Sequence, residues 1–173
     1  MDQKKLYKIT KIFQGFAEDL SQFPDNSFDA VIETLVLCSV SDVSKSLKEI
    51  HRILKPSGKF YFFDHIIAPS DEKLLRSVQF LLTKTVSYLY FSYQKLYIFL
   101  QYRILLFIFL QFWPSLVGNC QLDRDIGGQI KNSGLFESTN IINFNANYKM
   151  KTSILSILFA KLIEYEIYGW AMK

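Results

Sequence analysis

Two histidines, two cysteines and a few well-placed carboxylates are the residues of this 173-residue chain that could do chemistry. His65 follows Asp64 at the end of an aromatic run, FYFFDH. There an imidazole could take a proton from a thiol or hydroxyl, or simply orient a loop through a backbone carbonyl. His51 flanks the apolar face of a helix beside Arg52 and reads as structural or solvated. Cys38 and Cys120 lie far apart in the chain. Two lone thiols without close spacing predict neither a zinc site nor a small disulfide framework, and a reduced compartment. Each reads as a small apolar filler, with a nucleophile as the sharper alternative. Glu18 and Asp19 read either as a solvated helix start or as ligand contacts. The sequence contains no catalytic triad.

These residues need elements to position them, and Pro24 to His65 supplies a continuous unit. PDNS is turn chemistry. Phe28 to Thr34 (FDAVIET) is apolar on both faces, as a buried parallel strand would be. From Ser41 to Leu54 the period changes: Val43, Leu47, Ile50 and Leu54 recur at helical spacing, with Lys45, Lys48, Glu49 and Arg52 opposite. Ser41 or Asp42 can cap this helix. Lys55-Pro56-Ser57-Gly58 is expected to end it, and Lys59 to Ile66 to form an aromatic strand. Two strands joined by one helix predict a right-handed crossover in a parallel sheet. Upstream, KIFQG (Lys11 to Gly15) reads as a short strand. Downstream, the expectations are a helix over Asp123 to Ser133 closed by Gly134, a strand over Ser138 to Ala146, helical character over Lys149 to Tyr165, and a final strand over Glu166 to Met172.

The net charge of +4 comes from scattered lysines, not from a basic stripe. A nucleic-acid partner is therefore not expected. MDQKKLYKITKIF has no apolar core and is not a secretory signal.

The run AEDLSQFPDNSFD, followed by EIHRILKPSGKFYFFDH, resembles the second half of the class I S-adenosylmethionine-dependent methyltransferases (methyltransferase type 11 domain). TLVLCSV, FYFFDH, GNCQLDRD and the terminal IYGWAMK are similar to one branch of them, the small membrane-associated methyltransferase-like proteins that include alkyl-thiol methyltransferases. The similarity covers roughly Phe13 to Leu81, Phe112 to Ala146 and the carboxyl terminus. It implies an α/β, Rossmann-like sheet, incomplete at its amino-terminal end. In this sheet the fourth and fifth strands are followed, in spatial order, by the seventh and then the sixth. Ligands of such sheets sit beyond the carboxyl ends of the strands. By resemblance, S-adenosylmethionine is the cofactor, Ala17, Glu18 and Asp19 lie beside its adenine, and Leu35 and Cys38 line the crevice near its methionine part. His65 is then the candidate base, and the acceptor a small, lipophilic molecule such as a thiol. No metal ligand is implied.

The chain departs from the family in three places. Phe16 stands where many relatives have an aspartate. The first strand with its E/D-x-G-x-G loop, and the acidic residue ending the second strand, are expected to lie before Met1. Their absence would leave the strand from Phe28 with a bare apolar edge and the activity impaired. A non-catalytic membrane-associated remnant, or a mis-predicted gene fragment, is the alternative. A nicotinamide-dependent oxidoreductase is disfavoured, because it too needs a glycine-rich loop.

The resulting organisation is residues 11–68 as the carboxyl half of the methyltransferase core, 69–118 as a helical connection with a hydrophobic insert, and 119–173 as the closing helices and strands. From Lys73 to Leu122 there is no Asp or Glu. Within that stretch Thr85 to Gln111 looks inserted, and Leu96 to Val117 is long enough to span a bilayer. A single span would part strands of one sheet. An interfacial segment, a hairpin, and an artefact of translated A/T-rich DNA therefore all stay open. Contact with a membrane surface through 85–117 would place the chain on the cytoplasmic side of an intracellular membrane such as the endoplasmic reticulum; without it, the chain is cytoplasmic.

Overall fold

The structure, a computed structural model, describes residues 11–92, 120–146 and 160–173. In chain order these form β1 (Phe28–Ile32), α1 (Val43–Ile53), β2 (Leu54–His65), α2 (Lys73–Ser92), α3 (Ile126–Asn132), β3 (Ser138–Asn145) and β4 (Tyr165–Met172). The strands make one sheet in the order β1-β2-β4-β3. β1 and β2 are parallel, while β4 runs antiparallel to both of its neighbours. This is the expected arrangement of fourth, fifth, seventh and sixth strands.

The crossover unit forms for the reasons its pattern suggested. Asp42 is the α1 N-cap, its side chain accepting the Lys45 N–H. Val43, Leu47, Ile50 and Ile53 turn inward against the sheet. Burying Leu47, only 1% exposed, contributes about 2 kcal/mol. On the sheet side Phe60, Phe62 and Ile167 complete the core.

Three local expectations change. KIFQG forms no strand, because among the described residues no strand lies beside it; Phe13 instead packs edge-on against Phe23 at 5.1 Å. Lys55 to Gly58 does not separate helix from strand, since β2 already begins at Leu54. Leu54 pairs with Phe28, and the register then slips so that Ala30 meets Lys59. Pro56 to Gly58 is absorbed as a bulge, with Ser57 in the left-handed region at φ 64°. β1 is parallel as expected but is not buried: it is the sheet edge, and Ile32 is 76% exposed. The helical expectation for 149–165 lies outside the described residues, apart from helical residues 160–163 and Tyr165, which belongs to β4. In the expected insert, α2 runs through 85–92 and the remainder lies outside the described residues. Among the described residues no helix is long and apolar enough to cross a membrane.

At the amino end of β2 the chain is laced together by two cations. Arg52 donates to the carbonyls of Leu20 and Phe23 and pairs with Glu49 and Asp25. Lys173 Nζ donates to the carbonyls of His51 and Leu54 at 2.7 Å and to Asn26 Oδ1. A cation on the last carbonyls of a helix satisfies acceptors that the helix itself cannot. Inside the sheet, Gly169 is required by close approach: a Cβ there would collide with the Asn140 carbonyl of β3 and crowd the Phe62 ring.

Candidate functional site

The carboxyl end of β1 feeds a turn-rich loop, residues 33–42, which bonds to β2 near its carboxyl end and gathers most of the chemistry. Glu33 closes its first turn by accepting the Val36 N–H through Oε2 at 3.0 Å. Leu35 N–H donates to the Phe63 carbonyl at 2.7 Å. That bond holds Leu35 at φ 58°, a conformation costing a branched residue about 1–3 kcal/mol. Leu35 is 40% exposed, and Val36 and Ile32 are exposed as well. An apolar ledge therefore stands at the carboxyl edge of the sheet.

The expected adenine-side residues form a tight turn against this loop. Asp19 N–H donates to the Phe16 carbonyl at 3.1 Å. Glu18 Oε1 accepts the N–H groups of Ser41 and Asp42, at 2.6 and 3.3 Å, and so ties the turn to the start of α1. Asp19 Oδ1 accepts the Ser21 N–H, and the Ser21 hydroxyl, followed by that N–H, holds its carboxyl below the usual range. Ala17 packs on the core. Structure thus brings Ala17, Glu18 and Asp19 to the same edge as Leu35 and Cys38.

Cys38 and His65 sit deeper than the ledge. Cys38 is fully buried, and its N–H donates to Asp64 Oδ1 at 3.0 Å. His65 lies between Cys120 and Glu166: its Nδ1 is 3.4 Å from Cys120 Sγ and its Nε2 is 3.7 Å from Glu166 Oε1. The two thiols that sequence spacing separated are brought together here, which corrects the expectation that they are unrelated fillers. The Gln121 N–H bonds the Cys38 carbonyl at 2.8 Å and pins the two segments. Lying within 4.8 Å of each other, the thiols shift in opposite directions. Cys38 is lowered to about 4, first by Cys120, and Cys120 is pushed up by Cys38 and by burial. Arg124, whose Nη1 donates to the Leu37 carbonyl at 2.7 Å, supplies the nearby positive charge.

Beneath the loop lies a second pair, Glu33 and Asp64, both buried. Glu33 Oε1 and Asp64 Oδ2 have no hydrogen-bond partner, and the two carboxyls interact with each other. Two buried carboxyls in contact can hold one proton between them. Burial and Glu33 raise Asp64 to about 10, and burial raises Glu33.

Sequence reasoning passed over Glu33, Arg124 and Glu166, and gave Asp64 and Cys120 no site role. For Asp64 a signal was present: it continues the alternate positions of Phe60 and Phe62, so it must share their buried face. A buried carboxyl at a strand's carboxyl end asks for a partner.

The fold and its edge define an open α/β sheet with a ligand-facing crevice, and comparisons with known proteins agree. Residues 2–62 match the methyltransferase domain family. The chain is 35% identical over 75 residues to the thiol S-methyltransferase TMT1B of Rattus norvegicus, covering 43% of this chain and 31% of that protein. It is 47% identical over 51 residues to the thiol S-methyltransferase TMT1A of Homo sapiens, covering 30% of this chain and 21% of that protein. A SAM-dependent methyltransferase structure from Methanosarcina mazei superimposes with a TM-score of 0.51 at 14% identity, over 92% of this chain and 65% of that one. Over these stretches the chain is similar to class I S-adenosylmethionine-dependent methyltransferases, and it shares their fold. It spans less than a third of the length of these thiol methyltransferase relatives.

Proposed function

We propose that the chain takes part in methyl transfer from S-adenosylmethionine to a small, lipophilic thiol. The observation that carries this reading is the tether from Glu18 to Ser41 and Asp42, which ties the 16–19 turn to the end of the loop that carries the strained, exposed Leu35. These residues fit a flat, partly apolar ligand. Leu35, with Ile32 and Val36, offers it an apolar face. Asp19, exposed at the turn, offers a carboxylate to an amine. Glu18 holds the turn in register, Ala17 anchors it to the core, and Cys38 supports the loop from behind. When bound, S-adenosylmethionine supplies an activated methyl group, so the protein's task is proximity and alignment. In the metal-free chain His65, 12% exposed in its side chain, is the candidate to take a thiol proton. The thiol acceptor is supported by the names of the relatives, and contact with a membrane surface by the acid-free composition of 85–117.

Calorimetric titration of the full chain with S-adenosylmethionine tests the reading. Saturable binding is expected, weakened about tenfold, or 1.4 kcal/mol, in Asp19→Ala and in Leu35→Asp. Folded protein that shows no binding would overturn it and favour a non-catalytic remnant.

A further inference from the structure

We propose that Cys38, His65 and Cys120 form a binding site for one zinc-class metal ion. Their donor atoms, two Sγ and one imidazole nitrogen, lie within 4.8 Å of one another. On a tetrahedral zinc, with bonds of about 2.3 Å to sulfur and 2.0–2.1 Å to nitrogen, a sulfur and a nitrogen stand about 3.6 Å apart. The 3.4 Å between Cys120 Sγ and His65 Nδ1 matches that separation before any ion is placed. Thiolate and imidazole donors suit zinc and other soft or borderline ions, not magnesium or calcium.

The surroundings support the same reading. Each ligand comes from a different piece of chain: the loop after β1, the last residue of β2, and the segment before α3. Backbone bonds from Gln121 to Cys38 and from Ile67 to Arg124 fix these pieces relative to one another. Glu166 stands behind His65, 3.7 Å from its other nitrogen, where an outer carboxylate orients a metal-bound histidine. Asp64 accepts the Cys38 N–H and fixes that ligand's backbone. Arg124 balances thiolate charge at close range. Leu122, Leu162 and the α2 residues Leu75 and Leu82 surround the thiols with apolar side chains, limiting exchange with water. Among the described residues no fourth histidine, cysteine or carboxylate joins the set. Three protein ligands with a fourth position left over is the arrangement of zinc sites that take an exogenous ligand. Binding forms two metal–sulfur bonds and one metal–nitrogen bond, and the thiol protons pass to solvent.

The test uses the reduced, metal-free full chain. Equilibrium dialysis against zinc should show one ion per chain. Replacement of zinc by cobalt should give a sulfur-to-cobalt charge-transfer band and the visible bands of a tetrahedral ion. Cys38→Ser and Cys120→Ser should each abolish the charge-transfer signal or sharply weaken it. Glu166→Gln should lower affinity by about 10–100-fold. Reduced protein that takes up no zinc, cobalt bound without the charge-transfer band, or uptake equal in Cys38→Ser and the parent would overturn the proposal. So would air oxidation to a Cys38–Cys120 disulfide whose reduction restores no metal uptake. If the serine variants fail to fold, the cobalt spectrum of the unmodified chain decides alone. Metal uptake and S-adenosylmethionine binding are read separately, so either can fail without the other.

Discussion

The two ends of β2 hold similar numbers of charged side chains in opposite ways. At the amino end Arg52, Glu49, Asp25 and Lys173 are part-exposed or exposed, and they pair with full charges or bare carbonyls. At the carboxyl end Glu33, Asp64, Cys38 and Cys120 are buried and shift one another's proton affinities. The first arrangement ties three stretches of chain together. The second leaves groups poised between states, a pattern that clusters at functional sites. One strand thus separates a fastening end from a reactive end.

The comparison breaks most visibly at Asp64. Asp64→Ala should orphan the Cys38 N–H and leave Glu33 buried without its partner, costing about 3 kcal/mol. Asp64→Asn keeps an acceptor for Cys38 and a donor for Glu33, and should cost less than half of that. Urea unfolding monitored by tryptophan fluorescence would measure both. An equal loss in the two variants would show that the carboxyls do not share a proton. At the fastening end Lys173→Met should cost about 1 kcal/mol, as expected for removing a cation from a helix carboxyl terminus.

The smallest effect belongs to His51, whose imidazole is depressed by burial and secondarily by Lys173. A depressed histidine binds protons more weakly in the folded than in the unfolded chain. Its stabilisation is therefore present above the ordinary histidine range, about pH 6.5, and is lost as pH falls through the folded value. His51→Gln should remove that part of the acid sensitivity, read as a smaller shift of the thermal midpoint between pH 7 and 5. The Glu33–Asp64 pair works in the opposite direction, losing stability as pH rises, so the difference between parent and variant isolates the histidine.

How much of this could be read in advance depends on which forces decide each feature. The α1 helix was legible because Val43, Leu47 and Ile50 declare its period and Asp42 its start. The order of the four strands was legible through the family resemblance. The start of β2 was not, because Pro56 and Gly58 break regular structure locally, whereas pairing to β1 and β4 carries the strand through them as a bulge. KIFQG has the residues of a strand but no neighbour to pair with. In the site, Asp64 could be assigned to the buried face by alternation. The meeting of Cys38 with Cys120 could not, because it depends on how the loop after β1 and the segment before α3 pack under α2. No local pattern encodes that distance.

The position of β4 has a consequence for how the molecule is made. Among the described strands it comes last in sequence, yet it lies between β2 and β3 and pairs with both. Synthesis runs from the amino terminus, so β2 and β3 both exist before the strand that joins them. A stalled or truncated chain ending before Tyr165 would carry β2 and β3 each lacking the strand that joins them. Completion of the sheet therefore depends on contacts between distant parts of the chain, the kind that form slowly.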